Sequence, residues 1–298
     1  QLEASLRRYE PQRLGTYTKT DIVYSEMLAF LGYLINGVWE EIPFRRAPLS
    51  SYLPTSRLHF GDKTGMVEIW HPNERKYAGF LDMQEYPQFS EPGMNNGILY
   101  GDDEYIETQS YSIYNKRDAL KALDKQKGHL IASEDAATRE IEQMDQAAED
   151  LQSGLIDLGE YHYTVAIFGQ TMNAVAKSMA ETRAMFQDGS GFKMSPVDVI
   201  PECAWYSQIP GNWNLRPREA TITSRNFVCL SPFHNFARGK QSGNPWGEAL
   251  ALFKTPSGQP YYFNFHASPE DKDSRDEKYP GNTFICGTTG VGKTALEM

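Results

Sequence analysis

Apolar positions along this chain follow two periods, one near 3.6 residues and one of two, and the switches between them outline its elements. Ala137, Ile141, Met144, Ala148 and Leu151 recur at steps of four and three, so residues 133–151 carry the longest helical signal. Ser133 is placed to cap it ahead of an acidic first turn, and Gly154 and Gly159 end helical structure. Residues 161–168 then read as the clearest strand, closed by Gly169. Met172, Val175, Ala176, Met179, Arg183 and Phe186 put a mostly apolar stripe on the helix that follows, and another strand-like piece lies at 192–199. Strand, helix and strand make a compact βαβ unit. Earlier, residues 21–38 read as the first substantial helix, broken at Asn36-Gly37 and followed by an irregular connection through Pro43, Pro48 and Pro54. Residues 66–70 and 77–81 are strand-like runs that form a hairpin, residues 87–101 a long loop, and residues 106–114 another strand.

The later part is patterned differently. Residues 205–246 are rich in proline, glycine and tryptophan, which predicts loops packed by their own aromatics. These loops are candidates for contacts to neighbouring subunits, with packing inside their own domain as the alternative. Residues 250–255 and 260–265 flank Pro256-Ser257-Gly258-Gln259 as a natural hairpin. The mixed-charge run 270–278 has no apolar anchor and reads as a solvated loop.

With 298 residues and a 40% hydrophobic fraction the chain can build two ordinary domains. Its net charge of −10 is spread along the length without a basic tail or stripe, which argues against a large static nucleic-acid surface. Cys203, Cys229 and Cys286 are far apart and lack paired spacing, so they read as buried small hydrophobes rather than a metal site. The methionines sit at core-facing helical spacing, and His162, His234 and His266 lack ligand-spaced partners and read as structural or interface residues. No run of 18 apolar residues occurs; the nearest approach, residues 27–39, is interrupted by Asn36 and Gly37 and reads as a buried helix or one lying against a membrane or membrane partner. Gln1 is not an initiator residue, and the order of a signal peptide is absent behind it.

The most specific chemistry is at the far end. Gly287, Thr288, Thr289, Gly290, Val291, Gly292, Lys293 and Thr294 spell a complete phosphate-binding loop. The glycines let the backbone curl so that successive N–H groups point at phosphates. Lys293 is placed to reach the β- and γ-phosphates as the catalytic cation, and Thr294 to hold Mg²⁺, which implies ATP and Mg²⁺ as cofactors. Residues 283–286 read as the strand entering the loop and residues 295–298 as the helix leaving it.

A wider resemblance rests on an ordered series: Ile209-Pro210-Gly211-Asn212, Arg216, Leu230-Ser231-Pro232, Gly239, Asn244-Pro245-Trp246-Gly247, Pro260 to His266, and Gly281-Asn282 leading into the loop. In this order the chain resembles the CagE/TrbE/VirB family of conjugation and type IV secretion ATPases, specifically the large "B-four" ATPases of VirB-type systems. The likeness is strong over the last third, whereas the first 160 residues resemble the family's variable amino-terminal region in size and texture. Asn282 stands where the family commonly has His, which leaves the phosphate-binding roles untouched.

The resemblance implies an α+β amino-terminal assembly and partner-binding domain with β-hairpins and a βαβ unit, residues 1–280. It implies that residues 281–298 begin a RecA-like α/β nucleotide-binding domain with its first strand and P-loop. It further implies a homo-oligomer, a hexamer or one built of dimers, with other inner-membrane components and cytoplasmic ATPases of the secretion system as partners. The expected place is peripheral, on the cytoplasmic face of the bacterial inner membrane, energising pilus assembly and substrate export. The water-activating residues and arginine finger are expected beyond Met298. Two other readings stay open, a DNA-translocating motor of the conjugation type and a non-enzymatic docking module.

Overall fold

The computed structural model describes residues 12–61, 64–87, 89–132, 138–231, 238–255, 260–266 and 272–277, with Asn282, Phe284 and Cys286. They divide into two compact units, one of Gln1–Ile98 with Asp103–Phe233 and a smaller one of Leu99–Asp102 with His234–Met298. The architecture is α+β with antiparallel sheets.

In the larger unit β1 (Thr16–Lys19) and β2 (Ile22–Ser25) form a hairpin that leads into α1 (Glu26–Asn36). The helix expected over 21–38 therefore begins later. Ile22, Val23 and Tyr24 favour extended backbone, and the Ser25 hydroxyl accepts the Leu28 N–H at 3.3 Å as the true cap. The predicted break is real, because Gly37 closes α1 at φ 69° in the left-handed region. A Cβ there would also stand 2.7 Å from Ile69 Cδ1 and 3.1 Å from Trp205 Cη2, so the close packing admits only glycine.

β3 (Arg57–Phe60), β4 (Val67–Trp70), β5 (Arg75–Glu85), β6 (Tyr105–Ile113), β7 (Leu158–Gly169), β8 (Lys193–Pro196) and β9 (Glu219–Thr223) make one sheet, ordered β3-β4-β5-β7-β6. The predicted hairpin of residues 66–81 is β4 with β5. Leu81 and Asp82 of β5 face Val165 and Thr164 of β7 in one register and Pro196 and Ser195 of β8 in the other. Since both pairings are antiparallel, β7 and β8 run parallel on opposite edges of β5, and the expected compact βαβ unit is split by that strand. Residues 116–132 and 138–153, α2 (Lys116–Ala132) and α3 (Thr138–Ser153), are two helices, where one was expected. They share an apolar seam of Ala119, Leu123 and Leu151 with Ile156 and Leu158; the expected cap Ser133 and first stripe residue Ala137 lie outside the described residues.

Alternation along the strands assigns the two faces. On one, α4 (Met172–Ser190) lays Val175, Thr182 and Phe186 against the sheet, with Phe186 edge-on to Tyr163 at 5.9 Å. On the other, Val67, Ile69, Ala78, Phe80, Ala166 and Phe168 are covered by Val197, Ala204 and Trp205. Trp205 lies in α5 (Pro201–Ser207), edge-on to Phe80 and Phe168, and donates its indole N–H to Ile35 O at 3.2 Å. Residues 201–230 are thus not all loop: α5, β9 and α6 (Ser224–Leu230) occupy much of them, and Trp205 is core.

The smaller unit holds the hairpin expected at 250–265, β10 (Ala251–Lys254) with β11 (Pro260–Phe263); its turn lies outside the described residues. The charged run is partly anchored, because Ser274 is buried and gives both its N–H and its hydroxyl to Gly243 O at 2.9 and 3.0 Å.

Replacing Trp205 by Ala removes an indole with no exposed surface and orphans Ile35 O. A loss of about 3–5 kcal/mol is expected in urea unfolding, far more than for Trp213→Ala, whose ring is 44% exposed.

Candidate functional site

All eight phosphate-loop positions, Gly287, Thr288, Thr289, Gly290, Val291, Gly292, Lys293 and Thr294, lie outside the described residues, as does the helix expected after them. Of the entering segment, Asn282, Phe284 and Cys286 are described, without regular structure, and Phe284 and Cys286 are exposed. Cys203 and Cys229 are half-buried, so the expectation of buried cysteines fails at Cys286. In the smaller unit His266 is buried against Trp246, ring centroids 4.3 Å apart. His234 lies outside the described residues.

The larger unit gathers most of its buried charge in one place. The face covered by Trp205 continues along the same strands past the apolar rows. Phe80, Ala166 and Ile106 give way to Asp82, Thr164 and Thr108, and then to Glu219, His162 and Ser110, by the register of β5, β7, β9 and β6. Asp82 interrupts an otherwise apolar run and is fully buried. Its Oδ1 accepts the Met83 N–H at 2.9 Å, while Oδ2 is 3.9 Å from Arg218 Nη1, beyond hydrogen-bond range. Burial pushes its carboxyl up to about 7, against the pull of Arg218 and the Met83 N–H. His162 is also fully buried, with Nε2 2.6 Å from Thr164 Oγ1. Burial, helped by the Arg216 charge, lowers its imidazole to about 4, so it is neutral at physiological pH.

Arg216 closes this row. Its buried guanidinium donates from Nη2 to Glu160 Oε2 at 2.6 Å and pairs with Glu219 Oε1 at 2.9 Å. Its Nε donates to Trp213 O at 2.9 Å, and the group stands 5.2 Å from the Trp213 ring centroid. Burial and the neighbouring Glu160 push Glu219 up, opposed by Arg216. A fork shared by two carboxylates and a carbonyl pins residues 213–219 to the sheet.

This arrangement has no catalytic reach. Its imidazole is a poor base at neutral pH, its carboxyl has no exposed surface, and among the described residues no group of three His, Cys, Asp or Glu is placed to hold a metal. Beside it, a cavity of about 500 Å³ lies between β6, α1 and residues 207–216. Sequence reading had singled out Arg216 but not Asp82, Glu160, Arg218 or Glu219. A lone acid in the apolar run Ala78 to Met83 was the available signal for Asp82.

A protein-family model described as "CagE, TrbE, VirB family, component of type IV transporter system" matches residues 12–218, and the chain belongs to this family. Among curated relatives it is 42% identical over 303 residues to the type IV secretion system protein virB4 of Brucella abortus (strain 9-941), covering 99% of this chain and 36% of the relative. It is 42% identical over 273 residues to the type IV secretion system protein PtlC of Bordetella pertussis, covering 92% and 33%. With virB4 of Bartonella henselae the identity is 38% over 291 residues, covering 98% and 36%. The chain thus spans about a third of the length of the curated relatives it matches. The family match includes the amino-terminal region, so the likeness is not confined to the last third.

The two buried titrating groups act on stability with opposite sign. Asp82 is held protonated up to about 7, so its contribution is full below the ordinary carboxylate pKa and is lost as pH rises toward 7. His162 is held neutral down to about 4, so its contribution is present above the ordinary imidazole pKa and is lost as pH falls toward 4. Between about pH 4 and 6.5 the two slopes offset each other. Urea unfolding of Asp82→Asn should show stability rising with pH across this window, and His162→Gln stability falling, each by up to about 1.4 kcal/mol per pH unit.

Proposed function

We propose that this chain serves a type IV secretion or conjugation system as part of an ATPase that energises assembly of the machine and substrate transfer through it. The observation that carries the reading is the complete loop from Gly287 to Thr294 in a chain of the CagE, TrbE, VirB family. Its donor set fits a nucleotide: successive backbone N–H groups for the phosphate oxygens, an ammonium at Lys293 and a hydroxyl at Thr294. ATP with Mg²⁺ supplies the phosphoryl group. Lys293 would offset the negative charge of the phosphate oxygens, and Thr294 would hold the metal through its hydroxyl.

In this reading residues 1–280 are the assembly and partner-binding region, and residues 281–298 open a RecA-like domain. The protein works as a homo-oligomer, a hexamer or one built of dimers, with other components of the secretion system. It sits on the cytoplasmic face of the inner membrane. No described helix is long and apolar enough to cross a membrane, so attachment through partners or through the surface around α1 fits. That surface exposes Ile22, Val23, Met27, Trp39 and Phe44.

In the full-length protein, Lys293→Ala should abolish ATP turnover and secretion, because the phosphates lose their cation. Turnover within about twofold of wild type at saturating ATP would defeat the proposal. Peripheral attachment is checked by fractionation: the protein should leave the membrane on alkaline carbonate washing, and retention would contradict it.

A further inference from the structure

The cavity beside the buried charges runs along a strand that has only one neighbouring strand among the described residues. β6 ends the sheet, and six successive residues of it, Ile106 to Tyr111, line the cavity wall. Their span is roughly 20 Å at about 3.4 Å per residue. Backbone bonds flanking the strand fix which groups are free. Glu104 O accepts the Phe168 N–H and Tyr114 N donates to Leu158 O, both at 2.9 Å. Antiparallel alternation then points the even-numbered residues at β7 and turns the N–H and C=O of Tyr105, Glu107, Gln109 and Tyr111 outward. Among the described residues none of these outward groups has a hydrogen-bond partner, although the strand is half-buried rather than open to solvent. Half-buried, unpaired backbone is costly, and natural sheets cover or pair such an edge.

The walls say what would pair it. Phe30 and Leu34 of α1 face the cavity with Ile106, an apolar end. At the other end Ser110 Oγ and Gln208 Oε1 are buried without a hydrogen-bond partner among the described residues, and Gln208 is only 4% exposed. Glu107 is the one charged residue of β6, and burial pushes its carboxyl up. A basic residue beside it would offset that cost.

We propose that the outer edge of β6 is a docking groove for an extended segment of another polypeptide, which adds to the sheet as a further strand. The segment carries an apolar residue toward Phe30 and Leu34, a hydroxyl or amide residue toward Ser110 and Gln208, and a lysine or arginine beside Glu107. Backbone pairing supplies affinity, and the side-chain sites supply choice. The inference does not depend on the nucleotide chemistry proposed above.

The test uses the full-length protein and two fluorescein-labelled peptides of alternating valine and threonine, one with a central lysine and one with a central glutamate. Fluorescence anisotropy should show the lysine peptide binding at least about tenfold tighter, and Glu107→Lys should invert that order. Residue-resolved hydrogen exchange should show the lysine peptide protecting the amides of Tyr105, Glu107, Gln109 and Tyr111, while those of Ile106, Thr108 and Ser110 stay as slow as before. Equal binding of the two peptides, or protection without alternation, overturns the proposal. So does protection of the odd-numbered amides in peptide-free protein that grows with its sedimenting size, since the edge would then pair two copies of this chain.

Discussion

The larger unit depends on the pairing of both edges of β7. Along one edge β6 follows it from Gly159 to Ile167, and along the other β5 takes Thr164 to Gly169 while β9 takes Leu158 to His162. A strand paired on both sides and buried on both faces has to be apolar where helices cover it, and Tyr163, Val165, Ala166, Ile167 and Phe168 meet that demand. β5 leaves β7 after Asp82, just before the bulge between Met83 and Glu85, and the space it vacates admits β9. The place where one neighbour is exchanged for another is also where the buried charges collect.

That coincidence has a physical basis. Trp205 and α5 cover the apolar residues Val67, Ile69, Ala78, Phe80, Ala166 and Phe168 of β4, β5 and β7, and the cover beyond them is largely irregular chain from Gln208 to Arg218. Irregular chain brings backbone carbonyls and polar side chains to the sheet, and these require partners. Arg216 provides three at once, to Glu160, Glu219 and Trp213 O. The family-like run from Ile209 to Arg216 is thus a cover held down by one guanidinium. It forms a wall of the cavity along β6 rather than a catalytic loop.

The α4 face is the simpler half. Helix α4 is capped by the Thr171 hydroxyl at one end and by Gly191 at φ 74° at the other, so its length follows from local chemistry alone. Its stripe meets Gly79, where a Cβ would stand 2.3 Å from Met179 Sδ. Helix and sheet approach closely there because one strand position lacks a side chain, which lets β5 stand between the two strands that α4 connects.

Much of this was legible in residue order. The 66–81 hairpin, the strands at 105–113 and 158–169, the helix at 172–190 and the hairpin at 250–265 follow from alternation, helical spacing and glycine punctuation, which are local properties. Helix α2 was not legible, because Lys116 to Ala132 is rich in charge and, among its described side chains, Ala119 and Leu123 are the ones buried in the seam. Ile22 to Tyr24 were read into a helix because apolar residues continue into α1, and the hairpin partner that makes them a strand is backbone pairing. The motif from Gly287 to Thr294 lies outside the described residues, and its phosphate-binding reading rests on the spacing of Gly287, Gly292, Lys293 and Thr294 alone. The sequence by itself determined most of the elements, the spacing of the glycine, lysine and threonine motif, and the family. Only the tertiary structure decided that β5 splits the strand–helix–strand run, that Trp205 is core, that Asp82 and His162 share a buried face, and that β6 keeps an edge unpaired among the described residues. Each of these depends on which distant strands exchange backbone hydrogen bonds, and no spacing along the chain encodes that.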